Sequence, residues 1–389
     1  MLKRNKSSLA VLFVTLTTIF LLCSSTTLVA CSGFTIKKDD QVIIAHNKDW
    51  HNPQTTMYFY PAKEGSYARL FFEIPFPHIF NRDYKVLAGG INEHGLCYES
   101  FVTPFNPASF ELFKPPLFKN PVDYLLQQCT TVEEVVLYIE SHNLFFLNYI
   151  LSFGQLFVVD KTGDAAIIEG DDIIRIQKDY QACTNFLQSN PSLGNYPCWR
   201  YEAIIESLEN ASTISNSFVK SLLESVQLYA QYSWILNPSE LSLELYHFHD
   251  FEQGIHINLT EEFNQPAHSY FLPSLFEPAN NTAPNKPHVP VGPLTGTVNN
   301  AYLFETNTTD ADNHPSEIYY QWDFGDGTQT TWIYTYQPYR GSRTHQWKKP
   351  GTYQIRVKAK DIYGKESPWS DPFCIEITPK QNLGSYFFR

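Results

Sequence analysis

Cys31, in the run LCSSTTLVACSGF, is the residue best placed for covalent chemistry. A cysteine at a mature N-terminus carries a nucleophile and a base in one residue. Its thiol is intrinsically nucleophilic, and its α-amine, with an ordinary pKa of about 7.7–8.0, can take the thiol proton directly or through one water. Such a site also needs a carboxylate to orient the amine and donors for a tetrahedral oxyanion. Asp49, in HNKDW, is brought back towards Cys31 if SGFTI and QVIIAHN pair across the polar turn KKDD. The competing chemistry at Cys31 is a lipid anchor, since Leu-Val-Ala-Cys satisfies a lipobox. A lipobox normally abuts the apolar run, whereas SSTT intervenes here, and a thioether would consume the thiol.

The elements that position these residues follow from the rest of the chain. Lys3, Arg4 and Lys6, then an apolar run from Leu9 to Cys23, then a polar patch and Ala30 read as a cleaved signal peptide over 1–30, so the remainder is expected to be secreted or at the cell surface. VLAGGINEHGLCYESF and QLFVVDKTGDAAIIEG each read as two strands around a turn, and CTN at 183–185 as a strand end. Residues 121–142 place Leu125, Leu126, Cys129, Val132, Val136 and Ile139 at helical spacing, and RYEAIIESL reads as a further helix. Runs of strands interrupted by helix pairs predict an α+β layered domain over 31–270. Residues 271–287 are rich in Pro and Asn and read as a linker. Short β-type runs over 288–377 predict a small sandwich, followed by a tail over 378–389.

The ordered set Cys31, HNKDW, GGINEHGL, FVVDKTGDAAIIEG, CTNF and WRYEAIIESL resembles the choloylglycine hydrolase and penicillin V acylase family and its acyl-transferring relatives. The resemblance implies a four-layer αββα N-terminal nucleophile fold and cleavage of linear, non-peptide C–N amide bonds in a small N-acyl substrate. No metal and no cofactor is expected, since the cysteines are scattered without metal-ligand spacing. Residue by residue, Cys31 matches the nucleophile, Asp49 the aspartate that holds the amine, Asn185 an oxyanion donor, and Arg200 a supporting arginine. His46 stands where bile-salt-cleaving members carry Arg, and the second oxyanion side chain has no clear match; both departures point away from bile salts and penicillin V. His46, Asn47 and Tyr98 are the expected substrate-binding positions; Tyr98 and Val102 both lie near the place of a second oxyanion side chain. The expected acyl acceptor is water, with an amine as the alternative; the non-enzymatic alternative is a surface lipoprotein anchored at Cys31.

YYQWDFGDGT, His345-x-Trp347, GTYQIRVKAKD and SPWSDP resemble a PKD-type domain, an immunoglobulin-like sandwich that serves extracellular proteins as a spacer or a contact to cell surface or glycan. Asp323 and Asp326 of its DFGDG turn suit Asx turns better than calcium. The formal charge of −12 excludes non-specific nucleic-acid binding, which runs on surplus Lys and Arg. Of seven cysteines, Cys183 and Cys198 are the closest pair and are open to bridging in an oxidising compartment. His247 and His249 alternate on a strand as ordinary sheet residues would, and His345 reads as structural.

Overall fold

The computed structural model describes residues 31–50, 54–75, 85–104, 106, 108–109, 111, 113–116, 121–143, 154–193, 196–228, 230–312, 318–334 and 340–380. The signal peptide and most of the tail therefore lie outside the described residues.

The first hairpin forms as its sequence dictates. β1 (Ser32–Lys38) and β2 (Gln41–Asp49) pair antiparallel with Ser32 opposite Asn47 and Gly33 opposite His46. Asp39 and Asp40 form the two-residue loop with φ of +49° and +62°, a left-handed conformation that Asp tolerates. Both faces of this hairpin are buried, which is why the run VIIA (Val42–Ala45) is continuously apolar. Val42 and Ile44 enter one core, and Ile43 and Ala45 enter the other.

The hairpin sits inside a six-stranded sheet, in which β10 (Tyr180–Thr184) flanks β1. β11 (Ala230–Asn237), β12 (Ser242–His247) and β13 (Asp250–Asn258) follow β2. A second sheet has eight strands in the order β14 (His268–Phe271), β3 (Thr56–Tyr60), β4 (Arg69–Pro75), β5 (Lys85–Asn92), β6 (Cys97–Phe101), β7 (Gln155–Val159), β8 (Ala165–Glu169) and β9 (Asp172–Arg175). Cys31, Trp234 and Leu245 of the first sheet share one core with Phe72, Ile91 and Phe157 of the second.

Helices pack against these sheets locally. α1 (Pro121–Gln128) contacts β5, and α2 (Val132–Glu140) contacts β8. A reciprocal capping box between Thr131 and Glu134 starts α2, satisfying donors that a helix N-terminus otherwise leaves open. α3 (Trp199–Asn210) lies on β10 and β1, and α4 (Asn216–Val226) on β2 and β11; a short α5 (Leu259–Phe263) follows β13.

The expected four-layer αββα fold is corrected by this architecture. Among the described residues strand makes up 44 % and helix 17 %, so the protein is mostly β there, built from several sheets. The helical spacing over 121–142 does give helices, but α1 and α2 have 8 and 9 residues. Two helices each about 10 Å wide and some 13 Å long cover only part of an eight-stranded sheet roughly 35 Å across. Amphipathic spacing in the sequence reports that a helix exists, not that it completes a layer.

Beyond the Pro/Asn-rich stretch, a five-stranded sheet, β15 (Thr295–Thr297), β21 (Phe373–Thr378), β20 (Gly351–Asp361), β17 (Ile318–Asp323) and β18 (Ile333–Tyr334), accompanies a pair, β16 (Ala301–Asn307) and β19 (Arg340–Gln346). Its core holds Phe304, Trp322, Phe324 and Trp347. In the DFGDG turn, Asp323 accepts from the Gly325 amide (2.9 Å) and Asp326 from the Thr328 amide (3.0 Å), the expected Asx turns. His345 stacks on Phe324 with centroids 3.9 Å apart and meets Asp326 at 2.9 Å.

Gly89 on β5 is required by close approach. A Cβ there would meet Glu99 Oε1 at 2.1 Å and Cδ at 2.4 Å, and Glu99 is itself packed between the sheets. Gly89→Ala is expected to lower stability by about 1–3 kcal/mol, the range for overpacking a well-filled interior. Thermal or urea unfolding checks this; an unchanged midpoint would show that Glu99 can move.

Candidate active site

Cys31 precedes β1 and is buried with 2 % of its surface exposed. The ladder of β1 places its neighbours. Ser32 faces Thr184 on one side and Asn47 on the other, so one step back sets Cys31 between Asn185 and Lys48 as cross-strand neighbours. Cys31 Sγ lies 4.0 Å from the Asp49 carbonyl oxygen.

Arg200 binds this group together. It is the second residue of α3 and is buried, so it is not the surface arginine its place at a helix start would suggest. Nη1 donates to the Cys31 carbonyl at 2.7 Å, Nη2 donates to Asn185 Oδ1 at 3.3 Å, and Nη1 stands 3.9 Å from Asp49 Oδ2. Asp49 is fully buried and also accepts from the Leu228 amide at 3.3 Å. Because Arg200 takes Oδ1 of Asn185, the amide orientation is fixed, and Nδ2 donates one hydrogen to the Val102 carbonyl at 2.9 Å. An amide nitrogen carries two hydrogens, so a second donor remains on Nδ2.

The same strand alternation separates the other candidates. His46 and Lys48 share the inter-sheet face with Cys31. His46 packs edge-on against Phe101 (5.4 Å) with Nδ1 3.4 Å from Glu99, and burial holds its pKa well below the ordinary histidine value, keeping the ring neutral. Asn47 points to the other face, where Nδ2 donates to the Leu223 carbonyl (2.8 Å) and Oδ1 accepts from Ser233 Oγ (2.6 Å). It ties β2 to α4 and β11 and is not directed at a substrate. Tyr98 alternates away from Glu99 and donates to the Leu87 carbonyl at 3.2 Å within its own sheet. The structure does not bring it to Cys31.

Two residues the motif reading passed over complete the site. Lys48 and Glu99 are both buried and form an ion pair at 3.1 Å; Lys48 also donates to the Ser100 carbonyl at 2.9 Å, and Trp234 Nε1 donates to Glu99 at 3.1 Å. Burial pushes the Glu99 carboxyl up to about 7 against the opposing effect of Lys48. Both lie inside quoted runs, HNKDW and CYESF. Their signal was a charge at an inward position of each of two strands that pack face to face, visible only once the sheets are known to stack.

The thiol of Cys31 is raised above its ordinary pKa, first by burial; Lys48 is the strongest influence lowering it, and Asp49 and Glu99 raise it. Cys183 and Cys198 are both free, with Cys183 donating to Gln155 Oε1 (3.2 Å) and Thr184 Oγ1 donating to Cys198 Sγ (3.5 Å), so the candidate bridge is not formed. Among the described residues, no group of three or more His, Cys, Asp or Glu side chains is arranged to hold a metal. A surface depression of about 1040 Å³ lies at the far end of the first hairpin, lined by Lys37, Asp40, Lys178 and Glu209 among others. Its nearest lining residue, Ile36, lies five residues of extended chain from Cys31, roughly 17 Å, and it holds none of the site residues.

The family model that matches falls on the second unit. The PKD domain family matches residues 288–371, where the sandwich and the Asx-turned DFGDG loop have just been described. Residues 288–371 are a PKD domain. The chain is 37 % identical over 89 residues to the collagenase ColA of Bacillus cereus, covering 23 % of this chain and 8 % of the collagenase. It thus spans less than a tenth of that relative. The solved PKD domain of an M14-like peptidase from Thermoplasmatales archaeon SCGC AB-540-F20 is 36 % identical and covers 26 % of this chain and 99 % of its own, with a TM-score of 0.22. A putative membrane anchored protein from Corynebacterium diphtheriae covers 92 % of this chain and 60 % of its own at 8 % identity and a TM-score of 0.22.

Lys48 and Glu99 act on the thiol with opposite sign, which gives a paired test. Lys48→Met is expected to move the pH profile of Cys31 alkylation to higher pH, because a cation favouring the thiolate is lost. Glu99→Gln is expected to move it to lower pH, because an anion opposing the thiolate is lost. Site-resolved iodoacetamide labelling of the chain starting at Cys31 reads both, separating Cys31 from the exposed Cys374. Identical profiles in all three proteins would remove this pair from the chemistry.

Proposed function

We propose that the protein is an exported amidase of the choloylglycine hydrolase and penicillin V acylase type, acting on a small N-acyl amide through the thiol of Cys31. The observation that carries this reading is the buried cluster in which Arg200 reaches both the Cys31 carbonyl and Asn185 while standing 3.9 Å from Asp49. Asp49, Asn185 and Arg200, selected from three separate motifs, meet around the one nucleophile, Cys31.

The chemistry follows from the positions. Hydrolysis of the Ala30–Cys31 peptide bond turns the Cys31 amide into an α-amine, which Asp49 orients. The amine takes the thiol proton, Sγ attacks the amide carbonyl carbon, and the C=O electrons move onto oxygen. The remaining Asn185 Nδ2 hydrogen stabilises that oxyanion. When the intermediate collapses, the C–N bond breaks, the departing nitrogen takes the proton from the α-ammonium, and a thioester remains. Water then adds to the thioester, giving a proton to the amine; the C–S bond breaks, the acid leaves, and the thiol is restored. Lys48 offsets part of the burial that disfavours the thiolate, and Arg200 holds the Cys31 backbone and the Asn185 amide in mutual register. The PKD domain supplies an extracellular spacer or a contact to cell surface or glycan.

Intact-mass spectrometry of the native protein is the direct test: the chain should begin at an unmodified Cys31, and a diacylglyceryl adduct there would sink the proposal. Cys31→Ala should abolish release of amine from N-acyl amino acids or acylated amines, as should one extra residue retained before Cys31. Asn185→Ala should reduce kcat by about 10²–10³ with little change in KM, since its donor faces charge present only in the transition state. Unchanged kcat would assign Asn185 to structure alone.

A further inference from the structure

The loop between β12 and β13 departs from the turn chemistry its geometry demands. His247 and Asp250 face each other across a two-residue loop, Phe248-His249, with φ of +48° and +68°. Positive φ at both central positions is the type I′ pattern, which favours Asn-Gly or Asp-Gly; a bulky residue there is strained. The hairpin at Asp39-Asp40 has the same geometry with residues that tolerate it. Phe248 is therefore held in place by something beyond its own turn.

That support is the PKD domain. Phe248 is buried in a cluster with Tyr319 and Ile362 of the sandwich, and Trp332, Tyr334 and Tyr363 pack around it. The Tyr334 ring meets Phe248 edge-on at 6.5 Å. His247 beside it stacks on Phe276 (5.4 Å) and approaches Tyr363 (6.2 Å). Burial pushes His247 down to about 3, so the ring is neutral and packs as an apolar group near neutral pH. A polar clasp closes the edge: Asn281 Nδ2 donates to the buried Asp361 at 2.9 Å, and Lys365 pairs with Glu277 at 2.9 Å.

The other side of the same loop leads to the site. The Phe248 amide donates to the Gln231 carbonyl and the His249 amide to the Ala230 carbonyl, both at 3.1 Å. Ala230 is the ladder partner of Asp49, at a bulge in the β11–β2 pairing, and the Leu228 amide donates to the Asp49 carboxylate. Two backbone hydrogen bonds, the β11–β2 ladder and the Leu228 amide thus join the docked face to the Asp49 carboxylate.

We propose that the PKD domain docks on Phe248 and, through the loop and Ala230, holds Asp49 in place, making Phe248 a positioning residue for the nucleophile. The docking and the path to Asp49 stand on geometry alone; the effect on turnover rests on the amidase reading above. Phe248→Asn/His249→Gly separates this from a local turn role, because it installs a better type I′ sequence while removing the docked ring. In the full chain starting at Cys31, the expected results are a larger radius of gyration by small-angle scattering and faster hydrogen exchange at 228–231. A fall in kcat of about tenfold to a hundredfold at near-constant KM is also expected, the scale set by small misplacements at a distance. Ile362→Asn, which leaves the first domain unaltered, should give the same three changes, and Phe248→Tyr should largely restore the parent behaviour. An unchanged radius in both disrupting variants would overturn the docking. A larger radius with unchanged exchange at 228–231 would overturn the coupling. If no amide is turned over even by the parent while radius and exchange respond as stated, the amidase reading fails and the docking and coupling stand.

Discussion

A guanidinium out of reach of water imposes the tightest constraint on the first domain. Arg200 is 6 % exposed, and a buried cation with unsatisfied N–H groups would be strongly destabilising. It must therefore find acceptors, and among them are the backbone carbonyl of Cys31, the side-chain oxygen of Asn185 and, at longer range, the Asp49 carboxylate. Each comes from a different element: the start of β1, the residue after β10 and the end of β2. The need to satisfy one charge draws three chain segments to a point, so the same demand that closes the fold also builds the site. α3 carries the arginine there, with Ile204 and Leu208 buried in the core beneath the first sheet.

A second buried charge pair sets the electrostatics. Lys48 and Glu99 come from the two sheets and meet between them, so their pairing depends on how the sheets stack. A pair of this kind contributes little net stability over an apolar equivalent, yet removing one partner typically costs about 3–5 kcal/mol. Its value here is local field. The cation one ladder step from Cys31 opposes the burial that raises the thiol, while the anion works the other way, and the Trp234 indole N–H keeps that anion hydrogen-bonded. Gly89 leaves the space Glu99 occupies, which ties a glycine on the neighbouring strand to the electrostatics of the nucleophile.

Much of the local structure was legible in the sequence because short-range rules fix it. KKDD between two apolar runs gives the first hairpin, and Leu125, Leu126, Val132, Val136 and Ile139 give the helices of 121–140, with the expected residues inward. The motif order picked out Cys31, Asp49, Asn185 and Arg200, which do come together. Layering was not legible: helix periodicity carries no information about how much sheet a helix covers, and the mostly-β architecture replaced the expected αββα one. Nor does a strand motif say which of two neighbours points inward. Asn47 sits between His46 and Lys48 in HNKDW, yet alternation sends it to the helix side, where three hydrogen-bonding partners occupy it. Tyr98 and Glu99 divide the same way on β6. A motif names a stretch of chain, and the pleat then decides which half of it can meet a substrate.

The two hairpin loops of the first sheet show how a departure from local rules carries information. Asp39-Asp40 and Phe248-His249 adopt the same backbone, but only the first has residues suited to it. Propensity alone would place a small polar pair at both, so the aromatic at 248 must be compensated by contacts outside the hairpin. The compensation comes from Tyr319 and Ile362, more than 70 residues further along the chain, in a domain with its own complete core of Phe304, Trp322 and Trp347. A sandwich with a core of its own does not need Phe248 in order to fold. The requirement therefore runs the other way: the strained turn in the first domain is what depends on the second, which makes the linker between them a connection inside one assembled unit.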